Sequence, residues 1–173
     1  MARMRRTWLQ GSLPYGRRAQ QKRVYQPRKR GRRLNVLGFW QPQRSFEYGM
    51  MRGSVKSERY IQLMNWQAQK AASHLAERQI TVMIQDNASS HKSKLVQKCW
   101  IEWQKQGLYL FFLPPYSPQM NRIEDEWLHI KYDELAAQMF EDEYEVALAL
   151  ISAIEARGHK GKYPVQRYKF NHV

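Results

Sequence analysis

The sequence predicts an α/β fold in which a mixed sheet is covered by helices on both faces. Three observations carry this. The elements alternate as hairpin, helix, strand, helix, strand, helix, helix. Ile80-Thr81-Val82-Met83-Ile84 is a short apolar, β-branched run of the kind found in buried strands. Apolar residues recur at helical spacing on either side of it.

Residues 1–32 have no clean period and hold Gly11, Pro14, Gly16, Pro27 and Gly31, so they read as irregular, with one short strand at Gln21–Tyr25. Leu34–Trp40 reads as a strand, Gln41-Pro42-Gln43 as a turn and Ser45–Met51 as the hairpin partner. Ser57 reads as the cap of a helix running to about Ala76, with Tyr60, Ile61, Met64, Ala68, Ala71, Ala72 and Leu75 on its apolar face. Ile80–Gln85 is the buried-type strand. Ser93–Gln106 is a second helix, stopped by Gly107. Leu108–Leu113 is another strand. After Pro118, Asn121 can cap a helix reaching about Met139, and Glu141–Arg157 forms the last one. The domain reading is a basic irregular segment (1–32), an α/β domain (33–157) and a basic, aromatic tail (158–173).

A chain of 173 residues with 43% hydrophobic content suits one compact domain. Mean hydropathy is −0.76, and no apolar run approaches the ~20 residues of a bilayer span. No apolar stretch follows the basic N-terminus, so it does not read as a signal peptide. Cys99 is the only cysteine, which excludes an internal disulfide and a cysteine-rich zinc site and fits a reducing cytoplasm.

The net charge of +14 is localised. Thirteen Lys or Arg and no acid fall in residues 1–46; the rest of the chain carries sixteen basic and fifteen acidic residues. Arginine dominates the block, and its planar fork suits phosphate. Arg17, Arg18, Lys22, Arg23, Arg28, Lys29, Arg30, Arg32 and Arg33, with Lys92 further on, are candidate nucleic-acid contacts, since a polyanion is the natural partner of such a block. A solvated, flexible tail is the plainer alternative.

Asp86 and Glu124 are the candidate catalytic and metal-ligating residues. Asp86 ends the apolar strand and is followed by Asn87-Ala88-Ser89-Ser90-His91; Glu124 follows the stiff turn Leu113-Pro114-Pro115-Tyr116-Ser117-Pro118. Active sites of open α/β sheets form at the carboxyl ends of strands. Hard cations such as Mg²⁺ take oxygen ligands, and two metals can serve the two sides of a phosphate when several carboxylates converge. Each acid also has a plainer reading. Asp86 before Asn-Ala-Ser-Ser is a loop and cap residue. Glu124, three residues after Asn121, resembles a capping box. Asp125 and Glu126 read as solvated neighbours, and Ile123, Trp127 and Ile130 as core.

Together the two segments are more specific than their parts. Residues 80–91 read ITVMIQDNASSH, and residues 110–131 read LFFLPPYSPQMNRIEDEWLHIK. This strongly resembles the DDE-type transposases of bacterial insertion sequences and mariner-like elements, over residues 33–157. The resemblance implies an RNase H-like fold and Mg²⁺- or Mn²⁺-dependent DNA strand cleavage and strand transfer in transposition. Asp86 matches the second catalytic acid and Glu124 the third. Asn87, His91, Pro115, Pro118, Asn121 and Trp127 match supporting positions. Met120 and Arg122 are mild departures.

The larger departure lies upstream. The family's first acid sits on a strand before the hairpin, and here no aspartate precedes Asp86; Glu47 and Glu58 fall in the wrong elements. No helix-turn-helix pattern precedes Arg33. The expectation is therefore a C-terminal transposase portion lacking its first strand, inactive alone, with its metal held only when a third carboxylate is supplied. The implied partners are transposon-end and target DNA, the N-terminal transposase portion and a second copy of the chain, and the implied setting is the cytoplasm, at the nucleoid. A non-catalytic nucleic-acid-binding module derived from a transposase is the alternative.

Overall fold

The computed structural model describes residues 3–5, 34–115, 117–136 and 138–170. The hairpin is its foundation. Strands β2 (Leu34–Gln41) and β3 (Ser45–Arg52) pair antiparallel from Leu34↔Arg52 to Gln41↔Ser45. Gln43 turns the chain at φ 60°, and the Arg44 N–H closes on the Gln41 carbonyl at 3.0 Å. Successive side chains alternate between faces. Val36, Phe46 and Tyr48 enter one apolar cluster, and Leu37 and Met51 the other. The hairpin is thus buried on both sides.

Strand β1 (Arg3–Arg5) lies antiparallel on the far edge of β2, with Arg5 opposite Asn35. This is a strand inside the segment that the pattern reads as irregular. The expected strand at Gln21–Tyr25 lies outside the described residues.

Helix α1 (Ser57–Ala76) follows β3 and buries Tyr60, Leu63, Met64, Gln67, Ala68 and Ala71, the face its spacing predicts. Its cap position is Lys56 rather than Ser57, whose hydroxyl instead meets that of Ser93 at 2.9 Å. Strands β4 (Thr81–Gln85) and β5 (Leu108–Phe112) form a separate parallel pair. Met83 and Gln85 are buried beneath α1, but Val82 and Ile84 are about half exposed, as is Phe111. So β4 is buried on one face only, not on both as its apolar run suggests.

The helix expected over Ser93–Gln106 is two: α2 (Lys94–Gln97) and α3 (Trp100–Lys105), separated by a turn at Lys98 and Cys99. Ser93 caps α2 by accepting the Val96 N–H, and Gly107 ends α3 at φ 82°. Helix α4 (Ile123–His129) runs on into a wider π turn over Ile130–Glu134 and stops short of Met139. Its cap position is Arg122; Asn121 contributes its buried backbone carbonyl, which accepts the Glu124 N–H at 2.9 Å.

Helix α5 (Glu143–Gly161) starts at Asp142, which accepts two N–H groups, from Tyr144 and Glu145. The segment read as a tail continues this helix, turns at Lys162 (φ 54°) and forms β6 (Val165–Tyr168), parallel to β3. Gly158 permits this return: a Cβ there would stand 2.3 Å from Val165. The larger sheet is ordered β1-β2-β3-β6. With α1 to α3 against one cluster and α4 and α5 against the other, the result is a mixed α/β fold flanked by helices, consistent with an RNase H-like arrangement. Among the described residues no helix is long and apolar enough to cross a membrane.

Candidate active site

Gly38 on β2 sets where α4 lies. A Cβ at that position would come 2.7 Å from the Trp127 indole, so only glycine lets the helix settle on the hairpin. Trp127 also meets Phe46 edge-on, with ring centroids 5.4 Å apart. Trp127 and Ile123 are core, as their spacing predicts, and Glu124 between them is half-buried at the first turn of α4.

Asp86 begins where β4 ends. Oδ1 accepts the Ala88 N–H at 3.2 Å, and Nδ1 of His91 stands 2.9 Å from the same oxygen. That nitrogen, on a side chain 5% exposed, stands at ion-pair distance from Asp86 without the alignment of a hydrogen bond, and it has no hydrogen-bond partner among the described residues. Asn87 donates from its side-chain amide to the Leu113 carbonyl, tying the loop after β4 to the end of β5. The Leu113 N–H in turn donates to the Gln85 carbonyl at 2.8 Å. The loop bearing Asp86 is therefore fastened from both sides.

The Glu124 carboxyl senses the charge of Asp86. Burial pushes the Glu124 carboxyl up, and the negative charge of Asp86 adds to the effect. Burial also acts to raise Asp86, but His91 and the Ala88 N–H outweigh it and hold this carboxyl below its ordinary range. One acid is thus kept ionised beside another that resists ionising.

Sequence reasoning missed the support beneath the loop. Tyr60, read as an ordinary core position, stacks on the His91 ring with centroids 4.7 Å apart and planes 24° apart. Its hydroxyl donates to Gln85 Oε1 at 2.8 Å. Glu126 was also misplaced: it is buried, not solvated, and binds the Arg157 guanidinium at 2.8 and 3.2 Å. Its partner lies 31 residues downstream, too far for local pattern to reveal.

Of the candidate nucleic-acid contacts, Lys92 is exposed near the site, its ammonium 4.4 Å above the Phe112 ring. Arg17, Arg18, Lys22, Arg23, Arg28, Lys29, Arg30, Arg32 and Arg33 lie outside the described residues.

As a metal site the pair is fitting but incomplete. Asp86 is ionised and its second oxygen, Oδ2, has no partner among the described residues. A cation between Asp86 and Glu124 would relieve their repulsion, and Mg²⁺ takes one or two carboxylates alongside substrate phosphate. Yet among the described residues no three His, Cys, Asp or Glu side chains gather to hold a metal. Glu47, the first acid of the sequence, is held by Lys70 at 2.8 Å and by Gln67, both on α1.

A family of DDE superfamily endonucleases matches residues 3–147, beginning well before Arg33 and taking in β1. No curated protein and no solved structure matches the chain. With 3–147 covering most of its length, the chain belongs to the DDE endonuclease superfamily.

Proposed function

We propose that this chain is the catalytic-domain portion of a DNA transposase in which Asp86 and Glu124 are two of the three metal-binding acids. The observation that carries the reading is their electrostatic contact across two elements, the end of β4 and the first turn of α4, within the family match. Asp86 through Oδ2 and Glu124 would hold Mg²⁺ or Mn²⁺. When bound, the metal supplies the charge that stabilises a phosphoryl group during strand cleavage and transfer. Asn87 and His91 hold the Asp86 loop, and Asn121 anchors the turn that presents Glu124.

Arg5 and Leu34, which bound residues 6–33, stand at the end of the sheet marked by Arg52. Helix α1 starts five residues later, and its first turn meets the Asp86 loop through Ser57–Ser93 and Tyr60–Gln85. In this reading Arg17 to Arg33 and Lys92 grip the DNA backbone beside the two acids, an affinity set by phosphate and not by sequence.

The same reading makes the centre one carboxylate short. β1 stands on the edge of β2 where the resemblance puts the strand of the first acid, but it is only Arg3-Met4-Arg5. The chain alone is then inactive, and an N-terminal transposase portion would supply the acid. The second reading, a non-catalytic nucleic-acid-binding module derived from a transposase, is the one in which no third ligand is needed.

Mn²⁺ binding, followed by electron paramagnetic resonance of the free ion, tests the pair. Asp86→Asn and Glu124→Gln should each weaken binding about tenfold or more. Variants that bind Mn²⁺ as the unaltered chain does would remove both residues from the account.

A further inference from the structure

The contacts behind Asp86 close on themselves. Gln85, the residue before it, is fully buried and accepts the Tyr60 hydroxyl; Tyr60, fully buried in α1, lies flat against His91; His91 reaches Asp86. The His91 backbone N–H also donates to the Ala88 carbonyl at 2.9 Å, while the Ala88 N–H donates to Asp86 Oδ1. Among the described residues, both contacts that Asp86 makes fall on Oδ1, and none on Oδ2. The carboxylate is therefore oriented, with one oxygen used up internally and 42% of the side chain still exposed.

We propose that His91, clamped by Tyr60, is a positioning residue that occupies Oδ1 of Asp86 so that a cation meets Oδ2 alone. A packing role would ask only for a flat apolar ring against Tyr60. The positioning role asks for a donor at Nδ1, because a bare ring nitrogen 2.9 Å from a carboxylate oxygen would repel it. It also predicts a single binding mode, since a carboxylate with one oxygen engaged cannot chelate through both. Outer contacts of this kind orient a ligand and tune its affinity without touching the metal. The inference rests on the reading of Asp86 as a metal ligand, and the experiment separates the two.

The first measurement uses the unaltered protein without metal. In a ¹⁵N spectrum of imidazole-labelled chain, one of the five histidines should carry its proton at Nδ1, and that signal should vanish in His91→Asn. His91 found with a bare Nδ1 overturns the proposal whether or not any metal binds. The second measurement is Mn²⁺ affinity in three variants. His91→Phe, which keeps the stack and loses the donor, should weaken binding about tenfold. His91→Asn, whose amide reaches the Nδ1 position, should recover most of it. Asp86→Asn should abolish it. Full Mn²⁺ affinity in His91→Phe together with loss in Asp86→Asn would overturn the positioning role and leave Asp86 as a ligand. If the unaltered chain alone takes up no Mn²⁺, as a centre one carboxylate short allows, the ¹⁵N result by itself decides whether His91 holds Asp86.

Discussion

Asp86 and Glu124 answer pH in opposite senses because burial, and then the Asp86 charge, raises Glu124, while His91 and Ala88 outweigh burial at Asp86. Glu124 prefers its proton in the folded chain, through burial first and then the Asp86 charge. Its contribution therefore favours the folded state at low pH and is lost as pH rises through its raised value. Asp86 is the reverse: against burial, His91 and Ala88 hold it low, so its stabilisation is present above the ordinary carboxylate range and disappears as pH falls through the lowered value. Glu124→Gln should accordingly raise the melting temperature near pH 7 and change it little near pH 4, where the native carboxyl already holds its proton. Asp86→Asn should lower it near pH 7. Thermal melts across that range check both, and a melting temperature lowered by Glu124→Gln near pH 7 would argue against a raised Glu124 carboxyl. Glu126 shows the same physics resolved differently. Arg157 neutralises it, and burial followed by the Glu126 charge pushes the Tyr163 hydroxyl up to about 12, keeping it a donor.

At the scale of elements, the placement of Glu124 depends on how α4 is held. Gly38 and Trp127 fix it to the hairpin, and the Glu126–Arg157 pair latches it to α5. Arg157→Met leaves a buried carboxylate without its partner and should cost about 3 kcal/mol in urea unfolding. Adding Glu126→Leu should restore most of that loss, because the charge is then gone as well. Gly38→Val should be worse tolerated than Gly38→Ala, since even one methyl meets the Trp127 ring. What was legible in the sequence follows from range. The hairpin and α1 were read closely because alternation and 3.6-residue spacing are local signals. The strand β6 was not, because Val165-Gln166-Arg167-Tyr168 has no strong pattern and joins the sheet only through Gly158 and the turn at Lys162. The break between α2 and α3 and the π turn after α4 were equally hidden, since their flanking apolar residues keep helical spacing. Asp86 and Glu124 stand out as candidates through the motifs around them, whereas the contact of Tyr60 with Gln85 beneath Asp86 has no signature outside the folded chain.

At the scale of the molecule, the α/β scaffold sets Asp86 just past the end of β4 and Glu124 in the first turn of α4, and the sequence carries its basic block ahead of β2. If about six phosphates are neutralised, DNA affinity should fall roughly a thousandfold between about 50 and 200 mM salt, with little preference for sequence. A filter-binding series measures this, and a flat dependence would remove the arginine block from the account. The β4–β5 pair leaves Val82, Ile84, Tyr109 and Phe111 exposed on one face. Parallel strands are commonly covered on both sides, so this face is the least satisfied part of the fold. The most direct test of the central claim, that the chain carries two of three acids and is one short, is nicking of supercoiled plasmid by the isolated protein in Mn²⁺. The account predicts DNA binding without nicking; Mn²⁺-dependent nicking that Asp86→Asn abolishes would contradict it.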